Sequence, residues 1–133
     1  MTKAGMLLVL LLACATAQAA HWVRLSAKNL FPYYVDVSSI TVDGDARSAW
    51  FKTTYPHHAR KSDDGTKYLA TTIEMTQILC TGKQVRALSW VWSFEDGSGG
   101  SGSNPTAFQP VPPDSWAELA MDYLCKWTPK PTG

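Results

Sequence analysis

The chain has 133 residues and a mass of 14.6 kDa, room for one domain. At 45% hydrophobic and 17% charged it lies below the roughly 25% charge of an average domain, which excludes a disordered polyelectrolyte. Twelve Lys and Arg face eleven Asp and Glu, and without Lys3 the count is eleven against eleven. That balance excludes a whole-domain electrostatic grip on nucleic acid or anionic lipid, which needs many basic contacts.

Residues 1–19 read as an export segment. Met1 to Lys3 form a positive start, Ala4 to Ala13 an apolar run, and Ala17-Gln18-Ala19 a small-residue cleavage site. The run is too short for a membrane span, which takes about 20 apolar residues. Leu11-Leu12-Ala13-Cys14 also resembles a lipobox, so acylation at Cys14 stands beside cleavage after Ala19. Either route leaves Cys80 and Cys125, which in an oxidising compartment most simply form a disulfide. Two free thiols or half a metal site are the alternatives, and no C-x-x-C or matching His pair supports the metal.

The remaining elements follow in order. His21 to Ala27 and Tyr33 to Val37 are short β-type runs, and Ser38 to Val42 leads into an Asp43-Gly44-Asp45 turn. Arg47 to Tyr55 alternates, with Ala49, Phe51, Thr53 and Tyr55 on one face. Thr66 to Cys80 is longer than an ordinary strand, so an irregular start or bulge is expected near Tyr68. Beyond Thr81-Gly82-Lys83, Leu88, Trp90, Trp92 and Phe94 share a face, predicting a strand that pairs with Ile73 to Cys80 as an antiparallel hairpin. Asp96 to Pro105, rich in Gly and Ser, is expected to be a mobile loop. Ser115-Trp116-Ala117-Glu118 fits a capping box opening a helix to about Lys126, with Trp116, Leu119, Ala120, Tyr123, Leu124 and Trp127 as its apolar stripe. The expected fold class is α+β: one antiparallel sheet of five to six strands, packed by a single C-terminal helix and stapled by Cys80–Cys125. A domain over 20–127 leaves 128–133 as a short tail.

Several of these residues resemble the surface-adhesin protein E-like domain family. The order is Trp22-Val23, Tyr34-Val35-Asp36, Ser38-Ser39-Ile40, Asp43-Gly44, a strand with Trp50, Cys80, Leu88-Ser89, a Gly/Ser loop, Pro110-Val111-Pro112-Pro113-Asp114-Ser115, Glu118 and Cys125. It covers Ala20 to Cys125. The resemblance implies a small secreted or lipidated bacterial envelope protein, in the periplasm or at the outer-membrane surface of a Gram-negative cell. It implies binding to a protein partner, a host matrix or serum protein or an envelope component.

The residues themselves offer few sites. His57-His58 with Arg60-Lys61 follows Pro56, and neighbouring imidazoles suit haem or a metal ion. Adjacent residues of an extended chain point apart, however, and no acidic or thiolate ligand sits beside them before Asp63-Asp64, so the segment reads as a solvated polar loop, with no metal or cofactor assigned. Asp63-Asp64-Gly65 lacks the spaced ligands of a calcium loop and reads as a turn. Glu74 and Glu95 are the only strand carboxylates that an acid/base pair could use, but nothing in the sequence sets them face to face, and they read as solvent-facing. No G-x-S-x-G, H-E-x-x-H or phosphate loop occurs, and the expectation is a non-enzymatic protein. Of six Trp, Trp90, Trp92 and Trp116 are expected under the helix, while Trp50 and Trp127 are the candidate exposed contacts. His57, His58, Arg60, Lys61 and Trp50 are thus the candidate binding residues. The rival readings are a periplasmic accessory protein and a haem or metal carrier using His57-His58. The partner expectations are a protein, with a homodimer as one form of self-contact, no nucleic acid, and the membrane only through a lipid on Cys14.

Overall fold

The computed structural model describes residues 19–130; Cys14 and nearly all of the export segment lie outside the described residues. The strands are β1 (Trp22–Arg24), β2 (Tyr33–Asp36), β3 (Thr41–Asp43), β4 (Ala46–Thr54), β5 (Leu69–Leu79), β6 (Gln84–Phe94), β7 (Gly99–Gly102) and β8 (Gln109–Pro110), and the helix is α1 (Trp116–Lys126). They form one antiparallel sheet in the order β1-β2-β4-β5-β6-β7, with β3 also on β4 and β8 also on β6. The fold class expected from the sequence is borne out. The strand count rises to eight because short pieces share an edge: β2 pairs with residues 51–53 of β4 and β3 with residues 46–48. No helix among the described residues is long and apolar enough to cross a membrane.

The β5–β6 hairpin is the backbone of the sheet. Its strands have eleven residues each and pair from Leu69↔Phe94 to Leu79↔Gln84, as the alternation of Leu88 to Phe94 predicts. A register shift falls between Leu69 and Thr71, near the irregular start expected at Tyr68, and a second, unforeseen, falls between Met75 and Thr76. The Asp43-Gly44-Asp45 signal closes the β3–β4 hairpin, Asp43↔Ala46, and Gly44 takes φ +58 there.

The glycine- and serine-rich segment is not a mobile loop. Residues 99–102 form β7, in register Trp90↔Gly102 and Trp92↔Gly100. The rings of Trp92 and Trp90 lie against this backbone: a Cβ on Gly100 would stand 2.5 Å from the Trp92 ring, and one on Gly102 2.6 Å from that of Trp90. Glycine is therefore a steric requirement, and the two indoles pack over β7 rather than under the helix.

Helix α1 starts as its capping residues dictate. The Ser115 hydroxyl accepts the Glu118 amide at 3.2 Å, while the Glu118 carboxylate accepts the Asp114 amide at 3.0 Å, one residue earlier than in the usual reciprocal pair. Ala120 and Leu124 are completely buried and join Tyr33, Val35, Ala49, Phe51 and Ile78 in the core. At the other end the Arg47 guanidinium donates to the carbonyls of Leu124 (2.9 Å) and Trp127 (2.6 Å), supplying donors that the helix end lacks. Cys125 is bonded to Cys80, just beyond β5, with Cα atoms 5.7 Å apart.

Two outcomes follow. Replacing both Cys80 and Cys125 by Ser reopens a 45-residue separation and lowers unfolding free energy by about 4 kcal/mol in the chain-entropy account, read from urea denaturation; an unchanged midpoint contradicts the staple. Gly102→Ala displaces the Trp90 ring, destabilises by roughly 1–3 kcal/mol and shifts tryptophan fluorescence, whereas a mobile loop would accept the methyl without effect.

Candidate functional site

Three surfaces carry chemistry-bearing side chains. At the start of α1, Leu30, Trp116 and Leu119 line a groove of about 430 Å³, rimmed by Asp114, Ser115 and Glu118. Leu30 is 50% exposed and Trp116 39%. The groove exists because Arg24 fixes the preceding turn: its guanidinium donates to the carbonyls of Ser26, Ala27 and Leu30. Ser26, buried, donates to Phe31 O and accepts from Tyr33 N, which sets the entry into β2. Trp116 packs against Tyr33, with ring centroids 5.0 Å apart and the ring planes tilted by 53°, while much of its surface stays open to solvent. The placement of Trp116 in the core is thereby corrected: residues deeper in the helix are buried, but its first residue overhangs.

The face opposite the helix is the second surface. Ala49 and Phe51 point to the core, so Trp50 and Lys52 point away. Trp50 aligns with Met75 and Lys52 with Ile73, whose partner Val91 is 45% exposed. Trp50 is half-buried, as is Trp127. The Lys52 ammonium lies 4.4 Å from the centroid of the Trp22 ring and 5.2 Å from that of Tyr34, so this face is tied down by cation–π contact.

The third surface is the segment after β4. Instead of diverging, the His57 and His58 rings stack with centroids 3.7 Å apart, because His58 takes φ +55 and breaks the extended path. An acidic neighbour arrives from elsewhere in the sequence: Glu95 follows β6, and its carboxylate lies 3.4 Å from His57 Nδ1 and 3.3 Å from His58 Nε2. Both expectations, rings apart and no acidic ligand beside them, are corrected. Arg60 and Lys61 are exposed close by, with the Lys61 ammonium 5.7 Å from the Tyr68 ring centroid. They share the segment with Asp63 and Asp64, so it is not a purely basic patch. Asp63-Asp64-Gly65 is a turn, its Asp64 carboxyl held at about 2 by donation from the Ser62 hydroxyl and from Thr66.

Glu74 and Glu95 do not form an acid/base pair. The Glu95 amide donates to Tyr68 O, and six residues of extended chain, about 20 Å, separate Tyr68 from Glu74. Glu74 is half-buried, beside a cavity of about 350 Å³ that Tyr33, Thr76 and Trp116 also line, rather than facing solvent. Burial raises its pKa, opposed by the Thr76 hydroxyl that donates to it, and burial followed by the Glu74 charge raises that of Tyr33. A raised carboxyl pKa means that folding favours the protonated form, so stability declines as pH rises through the folded value. Glu74→Gln keeps the acceptor for Thr76. It raises the thermal midpoint at about pH 8 and leaves it unchanged at about pH 3, where folded and unfolded states both hold the proton; no gain at the higher pH contradicts the burial penalty.

Comparison with known proteins agrees with this architecture. Solved structures of Haemophilus influenzae protein E are similar in fold. One crystal form superposes with a TM-score of 0.54 at 18% identity, covering 86% of this chain and 94% of that one. A second gives 0.53 at 18% over 78% and 83%, and protein E from a non-typeable strain 0.51 at 18% over 84% and 79%. No curated protein sequence matches the chain. The model of the family Surface-adhesin protein E matches residues 22–126, from the first strand to the last residue of α1, and the chain belongs to that family.

Proposed function

We propose that this protein is an envelope adhesin that works without catalysis, by docking a protein partner in the groove at the start of α1. The observation that carries the reading is Trp116: a large aromatic ring held by Tyr33 on one side and open on the other, beside exposed Leu30. Pre-positioned aromatic anchors in partly enclosed apolar pockets supply much of the energy in protein contacts. The polar rim of Asp114, Ser115 and Glu118 resembles the rim of such interfaces. Family membership supports both the adhesive role and an extracytoplasmic address at a Gram-negative surface. Export through residues 1–19, with cleavage after Ala19 or acylation at Cys14, completes the proposal.

The test is binding of the purified protein to immobilised extracellular-matrix and serum proteins, with Trp116→Ala compared against Trp50→Ala. The proposal expects micromolar or tighter binding to at least one of them, weakened tenfold or more by Trp116→Ala and little changed by Trp50→Ala. Absence of binding, or loss confined to Trp50→Ala, overturns it. Surface proteolysis of intact cells checks the address: digestion agrees, and protection until the outer membrane is broken contradicts it.

A further inference from the structure

We propose that His57, His58 and Glu95 form a binding site for a divalent transition-metal ion of the zinc class. One nitrogen of each imidazole and one carboxylate oxygen lie within 4.8 Å of one another. The two nitrogen-to-oxygen distances are 3.4 and 3.3 Å. A tetrahedral ion with bonds of about 2.0–2.1 Å places its ligands about 3.3–3.4 Å apart, so those two edges of the polyhedron already have the right length. Two imidazoles and one carboxylate are a donor set that suits zinc and its neighbours, and they leave the fourth position open to water.

The site is organised beyond its three ligands. The His58 amide donates to Glu95 Oε1 at 2.7 Å, which leaves Oε2 turned to both rings. The His58 ring also stacks on Tyr68, with centroids 4.2 Å apart, and Tyr68 O accepts the Glu95 amide. Glu95 is thus tied by its own backbone to the residue that supports His58; its side chain is 22% exposed, although all three ligand residues lie at the surface. Orienting contacts of this kind raise metal affinity. His57 is the adjustable ligand: its side chain is 80% exposed, and its ring would leave the stack on His58 so that both nitrogens face one ion. The left-handed backbone of His58, unfavourable by roughly 1 kcal/mol or more, holds the two rings side by side. Cys80 and Cys125 are bonded to each other and offer no competing thiolate. A bound ion would join the segment after β4 to the turn after β6, independently of the groove at α1.

The experiment titrates zinc chloride into untagged, EDTA-stripped protein by calorimetry, with metal content after dialysis measured by mass spectrometry. One zinc per chain is expected. Glu95→Gln weakens binding tenfold or more, and His57→Ala with His58→Ala abolishes it. Circular dichroism of each variant should match the parent, since the side chains lie outside the core. No uptake at about 100 μM zinc, or uptake unchanged in Glu95→Gln, overturns the site.

Discussion

The structure depends on how one helix is held against one sheet. Leu124 and Ala120 bury their side chains against Val35, Ala49, Phe51 and Ile78, and the disulfide to Cys125 and the Arg47 guanidinium both act at the same end of the helix. The clamp is therefore asymmetric. The C-terminal turn is fixed covalently and by hydrogen bonds, while the N-terminal turn has its cap and the one-sided contact of Trp116 with Tyr33. An apolar ring left open at that end follows from where the clamp sits.

The far end of the sheet solves a different problem. Two indoles on β6 need cover, and among the described residues no second α-helix is present to give it; the one other helical turn, Val37–Ser39, lies beside β4. The glycines of β7 let a bare backbone pair with β6 while Trp90 and Trp92 lie flat over it. Directly beyond, the turn leaving β6 carries Asp96, whose carboxyl is held at about 2 by the hydroxyl and amide of Ser98 and by Lys67. This tight turn delivers Glu95 to the histidines. The same short segment thus closes the sheet edge and presents an acidic group to a loop far away in sequence.

Elements with a side-chain period were legible in the sequence. The alternation of Leu88 to Phe94, the Asp-Gly turn and the Ser115 and Glu118 cap each express a local constraint, and each reappears in the structure. Strand β7 was hidden because glycine has no side chain to alternate; its signal lies in the spacing of Trp90 and Trp92 against Gly102 and Gly100. The exposure of Trp116 was hidden for another reason. Helical periodicity tells which side of a helix faces the sheet, but not where along the axis the sheet ends. The meeting of His57, His58 and Glu95 needs a left-handed residue and a contact across 37 positions, and neither leaves a mark on composition or spacing.

The proposed docking mode puts contact with a partner at the helix start and not elsewhere on the surface. Leu30 and Val42 provide a matched comparison, both exposed aliphatic residues, at 50% and 45%, with only Leu30 in the groove. The most direct measurement places a photo-crosslinking amino acid at position 30 or at position 42 and irradiates the purified protein with each of a set of extracellular-matrix and serum proteins. Docking at the helix start gives adducts from position 30 and few or none from position 42. Equal yields from the two positions, or adducts from position 42 alone, would contradict it.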